Sequence, residues 1–139
     1  MICRLFEFLA DSNLVKSDHL KVAVHSKDCD LCKRCTAEDL ETRLCSNKYG
    51  WTIIRRVKFP SNMFSKGLLQ GIEIAVKLVH PTQSSLWVCI VNKDDQKLYS
   101  VVMFNIIKQF DSLDGVNDFM KESLNYTSRL LTEDDINVN

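Results

Sequence analysis

Between residues 71 and 104 the chain runs through three short apolar stretches separated by turn residues, and no other feature limits the possible folds as tightly. Ile72, Ile74, Val76 and Leu78 alternate with Glu73, Ala75, Lys77 and Val79, the period-two pattern of a strand with one better-buried face. Leu86 to Val91 is almost continuously apolar yet short, as a buried strand is. Asn92-Lys93-Asp94-Asp95-Gln96 reads as a turn, and Leu98 to Phe104 as the returning strand of a hairpin. Residues 71–104 are therefore expected to form a three-stranded antiparallel meander. Upstream, Trp51 to Phe59 is rich in β-formers and is closed by Pro60-Ser61-Asn62, which adds a further strand.

Helical spacing flanks this sheet. Leu5, Phe6, Phe8 and Leu9 predict a short amphipathic helix over 2–10, stopping near Asp11-Ser12-Asn13. Val22 and Val24 suggest a short strand. Thr36-Ala37-Glu38-Asp39 has the cap and acidic first turn of a helix start, with Leu40 and Leu44 one turn apart and a stop at Asn47 to Gly50. A last helix is expected from Asp114 or Gly115, with Val116, Phe119, Met120, Leu124 and Leu131 on one side and an acidic, frayed end at 132–139. The expectation is an α+β fold: an antiparallel sheet of four or five strands flanked by two or three helices. It would be one domain over 1–139, with a Cys-rich segment 1–50 packed on 51–131.

Apolar residues make up 45% of the chain and charged residues 26%, enough for a core and incompatible with disorder over most of the length. No stretch approaches the roughly 20 apolar residues of a membrane span. Arg4 and Glu7 interrupt the apolar N-terminal run, so it does not read as a signal peptide. The expectation is a soluble, intracellular protein of cytoplasm or nucleus. Net charge is zero but uneven: residues 51–80 carry Arg55, Arg56, Lys58, Lys66 and Lys77 against Glu73, whereas 81–139 are acidic.

Four of the six cysteines, Cys29, Cys32, Cys35 and Cys45, lie within 17 residues, with His25 just ahead. Two thiolates separated by two residues can face one point from a tight turn, and zinc takes four such ligands at tetrahedral corners. Cys29, Cys32, Cys35 and Cys45, with His25 able to replace one, are the candidate ligands of a structural zinc. Bridges inside so short a segment would close small loops and stabilise little, so reduced thiols are expected. The alternative is that Cys35 and Cys45 pack as small apolar residues beside Leu40 and Leu44.

Catalytic motifs are sparse. There is no Gly-x-Ser-x-Gly elbow and no phosphate-binding glycine loop; Gly67 and Gly71 read as turn residues. His80-Pro81, followed nine residues after the histidine by Cys89 and then by a helix, resembles the layout of ubiquitin-conjugating enzymes, in which a His-Pro-Asn turn precedes a nucleophilic cysteine. The resemblance spans about ten residues and implies Cys89 as nucleophile. Thr82 stands where that family has asparagine, and Cys89 falls inside an apolar strand, where a thiol is a poor nucleophile. Lys48, Tyr49, Trp51, Arg55, Arg56, Lys58, Phe59, Phe64 and Lys66 mix cations and rings as single-strand nucleic-acid binders do, although adjacent Arg55 and Arg56 would point to opposite faces of a strand.

The functional expectation is a non-catalytic protein–protein interaction module, an adaptor, regulatory or complex-forming subunit, whose partner is another protein or a second copy. Nucleic-acid binding through 48–66 is the alternative, and a cysteine enzyme using Cys89 a third. Met63, Phe64, Leu68 and Leu69, with Arg55 and Lys58, are the candidate contact residues; the competing expectation is that this loop folds back onto the core.

Overall fold

The computed structural model describes residues 4–12, 39–40, 50–61, 63–83, 85–104, 106–126 and 130–136. Among the described residues, helix α1 (Arg4–Ser12) is followed by six strands, β1 (Asp39–Leu40), β2 (Thr52–Lys58), β3 (Ile72–Val79), β4 (Leu86–Lys93), β5 (Gln96–Met103) and β6 (Ile106–Phe110). Helices α2 (Leu113–Leu124) and α3 (Glu133–Ile136) follow. The strands form one antiparallel sheet in the order β1-β2-β3-β4-β5-β6, so each pairs with its neighbour in sequence. The α+β reading and the meander both hold.

Helices cover the sheet on both faces. On one, α1 lays Leu5 and Phe8 against Val57, Phe59, Ala75, Trp87, Cys89 and Val91. On the other, Val116 and Met120 of α2, together with Leu131 and Ile136, meet Trp51, Ile53, Val76, Leu78, Val88, Ile90 and Val101. β4 is the hinge between the layers: every residue from Leu86 to Val91 is buried, odd positions facing α1 and even positions facing α2. That explains its unbroken apolar run, since a central strand covered twice has no solvent face to mark with polar residues.

Simple alternation fails at one point. Ile72 pairs with Val91 and Ile74 with Ile90, so Glu73 is a bulge residue inserted into β3. The extra residue switches parity: Ile72 joins the α1 face while Ile74 packs on the α2 face. Ala75, counted among the polar-side positions, is fully buried under α1. A second irregularity between Ile53 and Arg55 does the same in β2.

Other departures are local. Asp39 and Leu40 pair with Val57 and Arg56, so strand replaces helix at those two positions, where an edge of β2 offered backbone partners that outweighed a weak cap signal. The rest of that expected helix, and the expected strand at Val22 and Val24, lie outside the described residues. β6 was not anticipated and brings the sheet to six strands. α2 ends at Leu124 because Asn125 takes a left-handed conformation, so Leu131 lies beyond the helix although it is buried. The frayed end is corrected as well: Glu133–Ile136 form a helical turn and Ile136 is fully buried.

The turns follow their residues. Asp94 and Asp95 both have positive φ (51° and 61°), the two-residue turn that matches strand twist in a hairpin. Ser112 caps α2 by accepting a hydrogen bond from the Gly115 N–H at 3.2 Å.

Candidate interaction surfaces

α1 is joined to the sheet by charge as well as by packing. Lys77 Nζ lies 2.9 Å from Glu7 Oε1 and 2.6 Å from Asp11 Oδ2, and Arg55 Nε lies 2.8 Å from Glu7 Oε2. Trp87 Nε1 donates to Asp11 Oδ2 at 3.1 Å. Arg55 and Lys77 are register partners on β2 and β3, which is why both reach the same helix. Burial pushes the Glu7 carboxyl up, but the hydrogen bond and charge of Lys77, with Arg55, outweigh it and hold the group below its ordinary 4.5. Burial likewise lowers Lys77, and Asp11 and Glu7 overcome it, leaving the amine above 10.5.

A depressed carboxyl stabilises the fold above its unfolded value, and that contribution is lost as pH falls through the folded value. The raised amine contributes below about 10.5 and loses its contribution as pH rises through the folded value. Glu7→Gln is expected to cost about 1–3 kcal/mol, the scale of a charge-assisted hydrogen bond in a partly buried site. It should also flatten the fall in stability on acidification below about pH 4.5, both read from urea denaturation across pH.

The candidate contact residues fall into two groups. Met63, Phe64 and Leu69 turn inward onto the α1-side core; Phe64 lies 6.0 Å from Phe8 and 5.2 Å from Phe59, ring centroid to centroid. Leu68 points outward and is 76% exposed. Arg55 is engaged with Glu7, and Lys58 is exposed at the end of β2. Arg56 is buried on the opposite face from Arg55, where its neighbour across the sheet is Val76.

A stronger apolar patch lies elsewhere. Phe104 and Ile106, at the β5–β6 turn, are 63% and 44% exposed. Phe104 has φ +31°, a conformation that bulky side chains avoid, and its N–H donates to the Asp11 carbonyl at the end of α1 at 3.2 Å. Backbone strain is thus tolerated at a position whose large ring faces solvent. Sequence reasoning passed over this turn because it ended the returning strand at Phe104 and expected no strand after it.

The opposite face carries the chain end. Asn117, buried on α2, donates from Nδ2 to the Leu131 carbonyl at 3.0 Å and accepts at Oδ1 from the Leu131 N–H at 2.9 Å. Tyr99 O–H donates to Glu133 Oε1 at 2.6 Å. Burial of the ring first, then the bonded Glu133 carboxylate, pushes the Tyr99 phenol up to about 12.

Cys89 is fully buried between its register partners Ala75 and Ser100, and burial drives its thiol far above the ordinary value. His80 lies just beyond β3 with its ring against Trp51, and its Nδ1 accepts from the Thr82 N–H at 3.1 Å. A polar recess of about 180 Å³ beside Glu73 and Asn92 is smaller than the roughly 300 Å³ at which ligand pockets begin.

Cys29, Cys32, Cys35, Cys45 and His25 lie outside the described residues, as do Lys48 and Tyr49. Among the described residues, no three His, Cys, Asp or Glu side chains gather as a metal site, and no helix is long and apolar enough to cross a membrane. Comparison of the chain with protein-family models, with curated proteins and with solved structures returns no match.

Proposed function

We propose that the chain is a non-catalytic protein–protein interaction module that engages its partner through the β5–β6 turn. The observation that carries this reading is Phe104, a large ring 63% exposed on strained backbone, with Ile106 beside it. Exposed aromatic anchors of this kind dominate binding energy when a partner desolvates them. Nucleic-acid binding is less well supported, because Trp51 and Phe59 are buried in cores on opposite faces of the sheet and cannot form one stacking platform.

A structural zinc held by Cys29, Cys32, Cys35 and Cys45, with His25 as the alternative ligand, belongs to the same proposal. Asp39 and Leu40, which lie between Cys35 and Cys45 in sequence, pair with β2. Four protein ligands leave no open position on the metal, which suits a structural role.

The test compares wild type with Phe104→Asp/Ile106→Asp. Affinity capture from the native cell should recover a partner with wild type and lose it with the variant. Sedimentation of the purified chain reports whether that partner is a second copy. Equal capture by both proteins, with no self-association, would overturn the reading. Zinc is tested by elemental analysis of chelator-free protein, where less than about a tenth of an equivalent removes it.

A further inference from the structure

β6 is the last strand in the order of the sheet, and its hydrogen-bonded neighbour is β5. Among the described residues nothing pairs with its other side, so a row of backbone N–H and C=O groups along Ile106–Phe110 faces away from the sheet. Ile106, Lys108 and Gln109 are exposed and Ile107 and Phe110 half-buried, which leaves this edge open to an incoming chain. Such an edge accepts an extended segment, because only a strand presents its own backbone groups at the matching spacing.

The side chains of β6 then say which strand fits. Ile106, Lys108 and Phe110 are register partners of Met103, Val101 and Tyr99, all on the α2 side of the sheet. The row on that side therefore reads apolar, cationic, apolar. Lys108 Nζ lies 5.3 Å from the centroid of the Phe119 ring and has no carboxylate partner among the described residues. A second copy is a poor occupant. Two β6 edges related by a two-fold axis would pair antiparallel, with residues of the same side opposite one another. The register that sets Ile106 against Phe110 also sets Lys108 against its own copy, and like charges directly opposite destabilise a pair. Registers centred on Ile107 or Gln109 set Lys108 against Ile106 or Phe110, so the apolar residues no longer meet. An acidic residue opposite Lys108 replaces the repulsion with a cross-strand ion pair.

We infer that β6 binds, by strand addition, an extended segment of another protein that carries an acidic residue with an apolar residue two positions to either side. The inference rests on the chain's being an interaction module and deepens the site at the Phe104 turn, which leads directly into β6.

The probe is a fluorescent peptide with a Val-Thr-Glu-Thr-Val core between serines, titrated into the full chain and followed by anisotropy. Saturable binding is expected. It should weaken about tenfold in Lys108→Glu, and a peptide with Lys in place of Glu should restore it there, the scale of exchanging an attractive cross-strand pair for a repulsive one. N-methylation of one alternate set of peptide amides should abolish binding and of the other set should not, and the amides of Ile107 to Phe110 should gain protection from hydrogen exchange. Equal binding of both N-methylated peptides overturns strand addition. A folded wild type that ignores the peptide overturns the inference and leaves Lys108 as a guard against edge pairing. So does a wild-type dimer that protects the same amides, since the occupant is then a second copy. The turn and the strand fail separately. Capture of a native partner that is lost in Phe104→Asp but unchanged in Lys108→Glu keeps the turn and removes the strand; peptide binding alongside capture that survives Phe104→Asp removes the turn and keeps the strand.

Discussion

Trp87→Ala is expected to destabilise the fold by about 3–5 kcal/mol, the cost of emptying a large buried aromatic site. Trp87 is fully buried on the central strand, meets Phe8 edge-on at 5.1 Å and bonds Asp11 through its indole N–H. Truncation therefore opens a void beneath α1 and removes the Asp11 bond in one step. Set against a typical domain stability of about 5–15 kcal/mol, the loss leaves little margin at physiological temperature. Only two tryptophans are present, so Trp51 becomes the sole indole reporter in the variant, and it sits on the opposite face of the sheet. Its fluorescence in a urea titration should show the whole shift, because β4 belongs to both cores. A Trp51 transition that moved by less than about 1 kcal/mol would mean that the two faces melt independently.

Gly71→Ala is the second large effect, at roughly 2–5 kcal/mol from left-handed backbone strain plus overpacking. Gly71 has φ +85°, and its carbonyl accepts from the Asn92 N–H at 2.8 Å. A Cβ there would run into the Asn92 carbonyl oxygen, and backbone cannot step aside as a side chain can. Gly67, at φ +79°, offers the control: nothing lies within 4 Å of its added Cβ. Gly67→Ala should cost only the conformational strain, about 1–2 kcal/mol. Equal shifts in melting temperature for the two variants would contradict the close approach of Gly71 to β4.

Much of the central sheet could be read from residues alone, because period-two alternation and turn chemistry agree over 71–104. What alternation could not reveal is the bulge at Glu73. One inserted residue leaves the apolar spacing intact and moves Ile72 to the other face. β6 escaped notice because an edge strand with Ile106, Lys108 and Gln109 exposed has no buried period to detect. α3 escaped because four residues, three of them acidic, carry no helical period, and burial of Ile136 depends on a sheet assembled from other parts of the chain.

The candidate surface was less legible than the fold. Phe64 and Phe104 are the same residue type in similar company, yet one packs on Phe8 and Phe59 and the other faces solvent. Only tertiary structure distinguishes them. The charge network of Glu7, Asp11, Arg55 and Lys77 was equally hidden. In the sequence, Glu7 marked an interruption of an apolar run; the structure turns it into the contact point of the helix.

The spacing of those contacts bears on the order in which the molecule can be built. The strands pair with their neighbours in sequence, so the sheet can grow as the polypeptide leaves the ribosome, each strand finding the one made just before it. Among the described residues, α1 has its contacts far along the chain. It is synthesised before the strands it meets, and Glu7 meets Lys77 across 70 positions and Asp11 meets Trp87 across 76. Until β4 has emerged, the apolar stripe of Leu5 and Phe8 lacks Trp87, Cys89 and Val91, the central part of the surface it packs on. A helix made before the sheet is thus among the last elements to be fully buried, and a nascent chain halted before β4 would leave that stripe only partly covered.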